Sequence, residues 1–131
     1  MNKNAMRKTL WVSVVLNGIG AALFAFPTSS FGALLGLPDP AARLYNTLCA
    51  LFVALFGSAY VWLARQPQIN RPLIAFAALT KASVFGVFLI FWLRDVVTTL
   101  GLVFVFPHLV VASLFARWLF HESPEAKTNK V

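Results

Sequence analysis

Few residues in this 131-residue chain can do chemistry, and three of them interrupt long apolar runs: Asn17, Lys81 and His108. A carboxamide, an ammonium and an imidazole can together hold a polar or anionic head group, and a neutral imidazole can act as a general base. An unpaired cation at the centre of a bilayer costs ~2.5–3.5 kcal/mol on insertion scales, so intramembrane ionisable groups usually pair or mark a ligand path. Lys81 has no carboxylate to pair with inside its layer, because Asp39 and Asp95 fall at the ends of apolar runs and Glu122 and Glu125 follow the last one. It can sit neutral, snorkel toward the interface, or meet an anionic head group delivered by the bilayer. In the structural reading it is a packed lysine bonded to Asn17 and backbone carbonyls; in the functional reading it faces a ligand. His108 follows Pro107, whose missing amide can kink a helix and open a small cavity. That imidazole serves either as a helix–helix hydrogen bonder or as an acid–base group.

Other chemistries lack their residues. A bis-histidine haem needs a second imidazole at similar depth, and His121 lies about 20 Å further along the same helix. No set of metal ligands is spaced for binding, and Ser13, Ser58, Ser83 and Ser113 have no acidic partner at their depth for a serine triad. The single cysteine, Cys49, has no intramolecular disulfide partner. Neither a cofactor nor a metal is expected.

The elements that position these groups follow from composition. Hydrophobic residues make up 60% of the chain and charged residues 11%, against about 25% charged in soluble domains. The apolar surplus forms blocks of about 9–26, 41–64, 72–93 and 96–120, each near the ~20 residues that cross a bilayer as helix. Short breaks join them, which predicts an all-α, integral membrane, up-down-up-down four-helix bundle in a single domain over 1–131, with a disordered tail from about 121. The first block has a basic start but is too long for a signal peptide and lacks a small-residue cleavage site, so it is expected to remain as a span. Thr28, Ser29 and Ser30 offer N-cap oxygens to a short interfacial helix before the Pro38-Asp39-Pro40 turn. The net charge of +7 is carried at block ends rather than on a nucleic-acid-binding face. Lys3, Arg7, Lys8, Arg65, Arg71, Arg117, Lys127 and Lys130 fall on one side of a four-span arrangement, against Arg43 and Arg94 on the other. By the positive-inside rule both termini are cytoplasmic.

Small residues mark the expected inward faces, since helices in lipid approach closely where side chains are short. The second span carries Ala42, Asn46, Ala50, Ala54 and Ser58 at four-residue spacing, with Gly57 alongside. The first offers Ser13, Asn17, Gly20 and Ala21; the third Ala77, Ala78 and Lys81; the fourth Gly101, His108 and Ala112. Measured at ~1.5 Å per residue, Asn17, Lys81 and His108 lie about 12, 14 and 18 Å from the cytoplasmic ends of their spans, which predicts one polar layer. Trp11, Trp62, Trp92 and Trp118 fall near span ends, where interfacial indoles anchor depth. Tyr60 and Arg65 read as interfacial anchors, while Arg43 can pair with Asp39 or Asp95; these three are the candidate interface or partner residues.

With Phe26-Pro27, Leu35-Gly36-Leu37-Pro38, Arg43, Gly57, Tyr60, Ala64-Arg65 and Lys81 in view, the chain resembles the DoxX-like group of small four-helix bacterial inner-membrane proteins over most of its span region. The resemblance implies that fold and a bacterial cytoplasmic membrane, and carries no settled activity. Where many such sequences have an acidic residue in the fourth span, this one has His108, so no carboxylate-dependent activity is carried over. The expected function is non-catalytic: binding of a lipid, quinone or other bilayer amphiphile at the Asn17, Lys81 and His108 layer, or of a homo-oligomeric or larger membrane complex. A membrane enzyme acting on a lipid or isoprenoid, with His108 as acid or base and Lys81 stabilising a developing anion, is the alternative. A small transporter ranks third.

Overall fold

The computed structural model describes residues 3–35 and 43–121. Within them the chain is all-helical: α1 (Lys3–Ala25), the short α2 (Ser30–Leu34), α3 (Arg43–Arg65), α4 (Arg71–Trp92) and α5 (Thr99–His121). The four long helices are each long and apolar enough to cross a membrane. The Pro38-Asp39-Pro40 turn, Ala42 of the small-residue stripe and the tail beyond 121 lie outside the described residues.

Helix ends are set by local hydrogen bonds, and so depart by a few residues from the apolar blocks. Helix α1 starts at Lys3 rather than near Thr9, because a backbone ladder has no reason to stop where hydropathy falls. Its extra turn carries Arg7, whose guanidinium donates to the Gln66 carbonyl at 3.0 Å and to that of Pro67 at 3.4 Å. Ser29 caps α2 by accepting from the Gly32 amide at 3.1 Å, and Asn70 caps α4 by accepting from Leu73 at 3.2 Å, with Pro72 in the first turn where it forfeits no ladder bond. Helix α5 starts at Thr99, not Val96, since Thr98 Oγ1 accepts from the Gly101 amide at 3.1 Å. The turn before it terminates α4 in a Schellman pattern. Val96 donates to the Phe91 carbonyl and Asp95 to that of Trp92, with Asp95 left-handed at φ 57°. Aspartate tolerates that region better than most residues.

The long helices associate chiefly as two pairs, α1 with α3 and α4 with α5, joined mainly where α1 meets α5. The first pair is close at Gly20 and Gly57: a Cβ on Gly57 would lie 3.4 Å from Asn17 Cβ, and one on Gly20 3.4 Å from Val53 Cγ1, both ordinary contact distances. The core occupies one half of the bundle, where Met6, Leu10, Tyr60, Leu63, Ile74, Val111, Phe115 and Trp118 are buried together. The end of α2 packs under the start of α5 in the other half, with Phe31 edge-on to Phe104 at 5.6 Å. A Cβ on Gly101 would meet the Leu35 carbonyl oxygen at 3.0 Å.

Two expectations about facing are corrected. The four-residue stripe of α3 does not stay inward: Asn46 and Gly57 are buried, but Ala54 and Ser58 are exposed. Four residues advance a helix by 40° more than one turn, so a strict four-spacing rotates off the interface. The inward line follows Asn46, Ala50, Val53, Gly57, Tyr60 and Ala64, alternating fours and threes. Trp118 lies near a helix end yet is 2% exposed, because its phase on α5 continues the Val111 and Phe115 stripe. Arg71 covers its ring at 5.5 Å and donates to the Leu119 carbonyl. Trp11 and Trp62 are exposed, and Trp92 donates to Thr99 Oγ1 at 3.2 Å.

Candidate functional site

The half of the bundle away from the core holds a cavity of about 460 Å³ lined by residues of α1, α3, α4 and α5 and by Leu35 after α2. That volume lies within the ~300–1,000 Å³ of small-molecule sites. Its walls are mostly apolar: Leu16, Leu23 and Phe24 from α1, Phe52 and Val53 from α3, Val84, Val87 and Phe88 from α4, and Phe104 and Val105 from α5. Asn17, Lys81 and His108 all reach this cavity, each from a different helix. They are the three residues expected to share a polar layer.

Lys81 is 3% exposed and Asn17 5%. The ammonium donates to Asn17 Oδ1 and stands 5.3 Å from the centre of the Tyr60 ring. Asn17 turns its other end to α3, its Nδ2 donating to the Val53 carbonyl at 3.1 Å. One carboxamide therefore ties the first, second and third spans together. His108 is half-buried, and its Nδ1 is buried with no hydrogen-bond partner among the described residues. Asp95 is the one acidic residue among those described, exposed in the α4–α5 turn and about 20 Å along the chain axis from Lys81 at 1.5 Å per residue.

Tyr60 was expected at the interface and is instead 3% exposed. Its ring stands 6.4 Å from that of Phe115 and 5.3 Å from the Lys81 ammonium, so it lines the cavity beside Lys81. The period of α3 carries the signal, since Tyr60 lies three residues beyond Gly57 on the inward line. Arg43 and Arg65 are exposed and stay outside the site, and Asp39, one of the two partners proposed for Arg43, lies outside the described residues. Cys49 was not singled out for the site, yet it stands at the cavity's lip with its side exposed.

Five hydroxyls are spent within their own helices. Thr9, Ser13, Ser58, Thr80 and Ser113 donate to backbone carbonyls three or four residues earlier, leaving none of them activated by a base. Among the described residues no three His, Cys, Asp or Glu side chains cluster as metal ligands. What the arrangement can do is bind: an ammonium, a carboxamide and an imidazole line one mostly apolar cleft.

The class defined to this point is a helical protein with four potential membrane spans and an internal cleft. Comparison with known proteins adds no narrower identity: the chain matches no family model, no curated protein and no solved structure.

Proposed function

We propose that this chain is a non-catalytic multi-pass protein of the bacterial cytoplasmic membrane that binds a bilayer amphiphile in the cleft between its helix pairs. In this reading the bundle runs up-down-up-down with both termini cytoplasmic, as the excess of Lys and Arg on that side requires, and the chain is a DoxX-like relative. One observation carries the proposal: Lys81, Asn17 and His108 converge at the polar end of an otherwise apolar cavity. The lip of that cavity is formed by exposed residues of α3 and α4, among them Phe52, Phe56, Val84 and Val87. In a membrane such a lip faces hydrocarbon, so an amphiphile can enter from the bilayer without crossing water.

The test is what copurifies. Wild-type and Lys81→Ala protein extracted in mild detergent are compared by native and small-molecule mass spectrometry. A stoichiometric amphiphile bound to the wild type and lost from the variant is expected; bulk phospholipid alone on both refutes the proposal. The imidazole of His108 on the cavity wall favours one second reading, acid–base chemistry on a bound lipid or isoprenoid. Chemical change of the copurified molecule that stops in His108→Ala would establish that reading instead.

A further inference from the structure

We infer that the ligand of this cleft is a single-chain carboxylic acid, held head inward with its carboxylate between Lys81 and His108. The inference rests on the amphiphile-binding reading and specifies the chemistry of the head group. Lys81 is almost wholly buried, and its charge faces a carboxamide oxygen and an aromatic ring but no acid among the described residues. Desolvated cations are stable when paired and hydrogen-bonded. A neutral head such as an alcohol or a quinone carbonyl supplies acceptors but leaves that charge uncompensated. A carboxylate supplies the charge and two acceptor oxygens, which Lys81 and His108 on the cavity wall can meet. The ammonium has three donors, one of them used on Asn17. The His108 imidazole lines the cavity, and a neutral ring donates from the nitrogen that carries its proton. A cavity of about 460 Å³ seats one chain with a compact head better than a two-chain phosphodiester lipid.

The shape of the cleft agrees. From the polar layer to the far wall, Asn17 to Phe24, Lys81 to Phe88 and His108 to Gly101 are equal spacings, about 10 Å of helix at 1.5 Å per residue. Leu35 closes that end under α5. The first part of a chain lies along this cleft, and the remainder of a long one leaves through the lip beside Cys49 and Val84.

Cys49, the chain's single cysteine, reports on occupancy. Full-length protein in lipid nanodiscs is titrated with palmitoleic acid, with the matched alcohol palmitoleyl alcohol, and with a short-chain ubiquinone, following the rate of Cys49 maleimide labelling and the bound mass by native mass spectrometry. The acid is expected to bind one to one and protect Cys49, with both neutral probes at least about tenfold weaker, the scale of losing a partner of a desolvated charge. Lys81→Met, similar in length and apolar, should bring the acid down to the level of the alcohol while leaving ligand-free labelling unchanged. If the neutral probes match the acid, or Lys81→Met keeps the acid's affinity, the carboxylate assignment is overturned while amphiphile binding stands. Val84→Trp, which narrows the lip from its exposed side, should abolish protection by every probe. If no probe protects the wild type or adds bound mass, both the head-group assignment and the binding reading are overturned.

Discussion

The pairing of Lys81 with Asn17 makes a stability prediction whose sign is opposite to that of an ordinary core contact. Replacing Lys81 by leucine removes a buried ammonium, a relief of ~3 kcal/mol on insertion scales. It also strips Asn17 Oδ1 of its donor, which costs ~1–3 kcal/mol for a buried acceptor. With about 2 kcal/mol for that loss, Lys81→Leu should stabilise the protein by about 1 kcal/mol. Asn17→Leu does the reverse, leaving the ammonium without its acceptor and removing the bond to the Val53 carbonyl, for a loss of about 2 kcal/mol. The double variant removes charge and orphan together. It should gain about 2 kcal/mol, so the coupling between the two sites is about 3 kcal/mol. Equilibrium unfolding of all four proteins in one mixed-micelle system reads the cycle. A loss of more than about 1 kcal/mol in Lys81→Leu, or a coupling under about 0.5 kcal/mol, would falsify the reasoning, because either result makes the lysine a structural brace. Stabilisation means that the chain keeps this lysine against its own stability, as functional groups often are.

Two further outcomes test the frame around the site. Gly101→Ala places a methyl 2.9 Å from Val97 Cγ1 and 3.0 Å from the Leu35 carbonyl oxygen, so it should destabilise by ~1–3 kcal/mol through overpacking. Gly86→Ala meets nothing within 4 Å and should gain ~0.5–1 kcal/mol from helix propensity; similar melting shifts for the two would refute the packing of the α2 end against α5. For topology, an alkaline phosphatase fused after Val131 should be inactive and one inserted in the Arg94-Asp95 turn active, and the opposite pattern would overturn the proposed orientation.

The helices and the polar layer were legible because both depend on the axial coordinate, which the chain displays directly. Block length marks the potential spans, and depth counted from block ends puts Asn17, Lys81 and His108 within a few ångströms of one another. What was misread depends on helical phase. Trp118 and Tyr60 sit near helix ends in the axial count, and only their place on the alternating three-four line turns them inward. Ala54 and Ser58 fail for the complementary reason, because a strict four-residue count overshoots the 3.6-residue turn. The cleft itself was only hinted at through Pro107. Its main cause is the long-range association of α1 with α3 and α4 with α5, which no local pattern expresses.

The position of Lys81 at the boundary between core and cleft argues that the two belong together. On one side of it the helices close tightly around Tyr60, Phe115 and Trp118; on the other, large side chains from every long helix line open space. A bundle under pressure only to pack would continue the first arrangement through the second, and would place an aliphatic residue at 81, where replacing a buried ionic group by an apolar one is neutral or stabilising. Packing explains neither the cleft nor the lysine. The proposed amphiphile accounts for both, since the cleft would give its chain a place and the ammonium would give its head a partner. Asn17 accepts one hydrogen bond from the ammonium, and in the proposed reading the two donors that remain are the ones a head group takes.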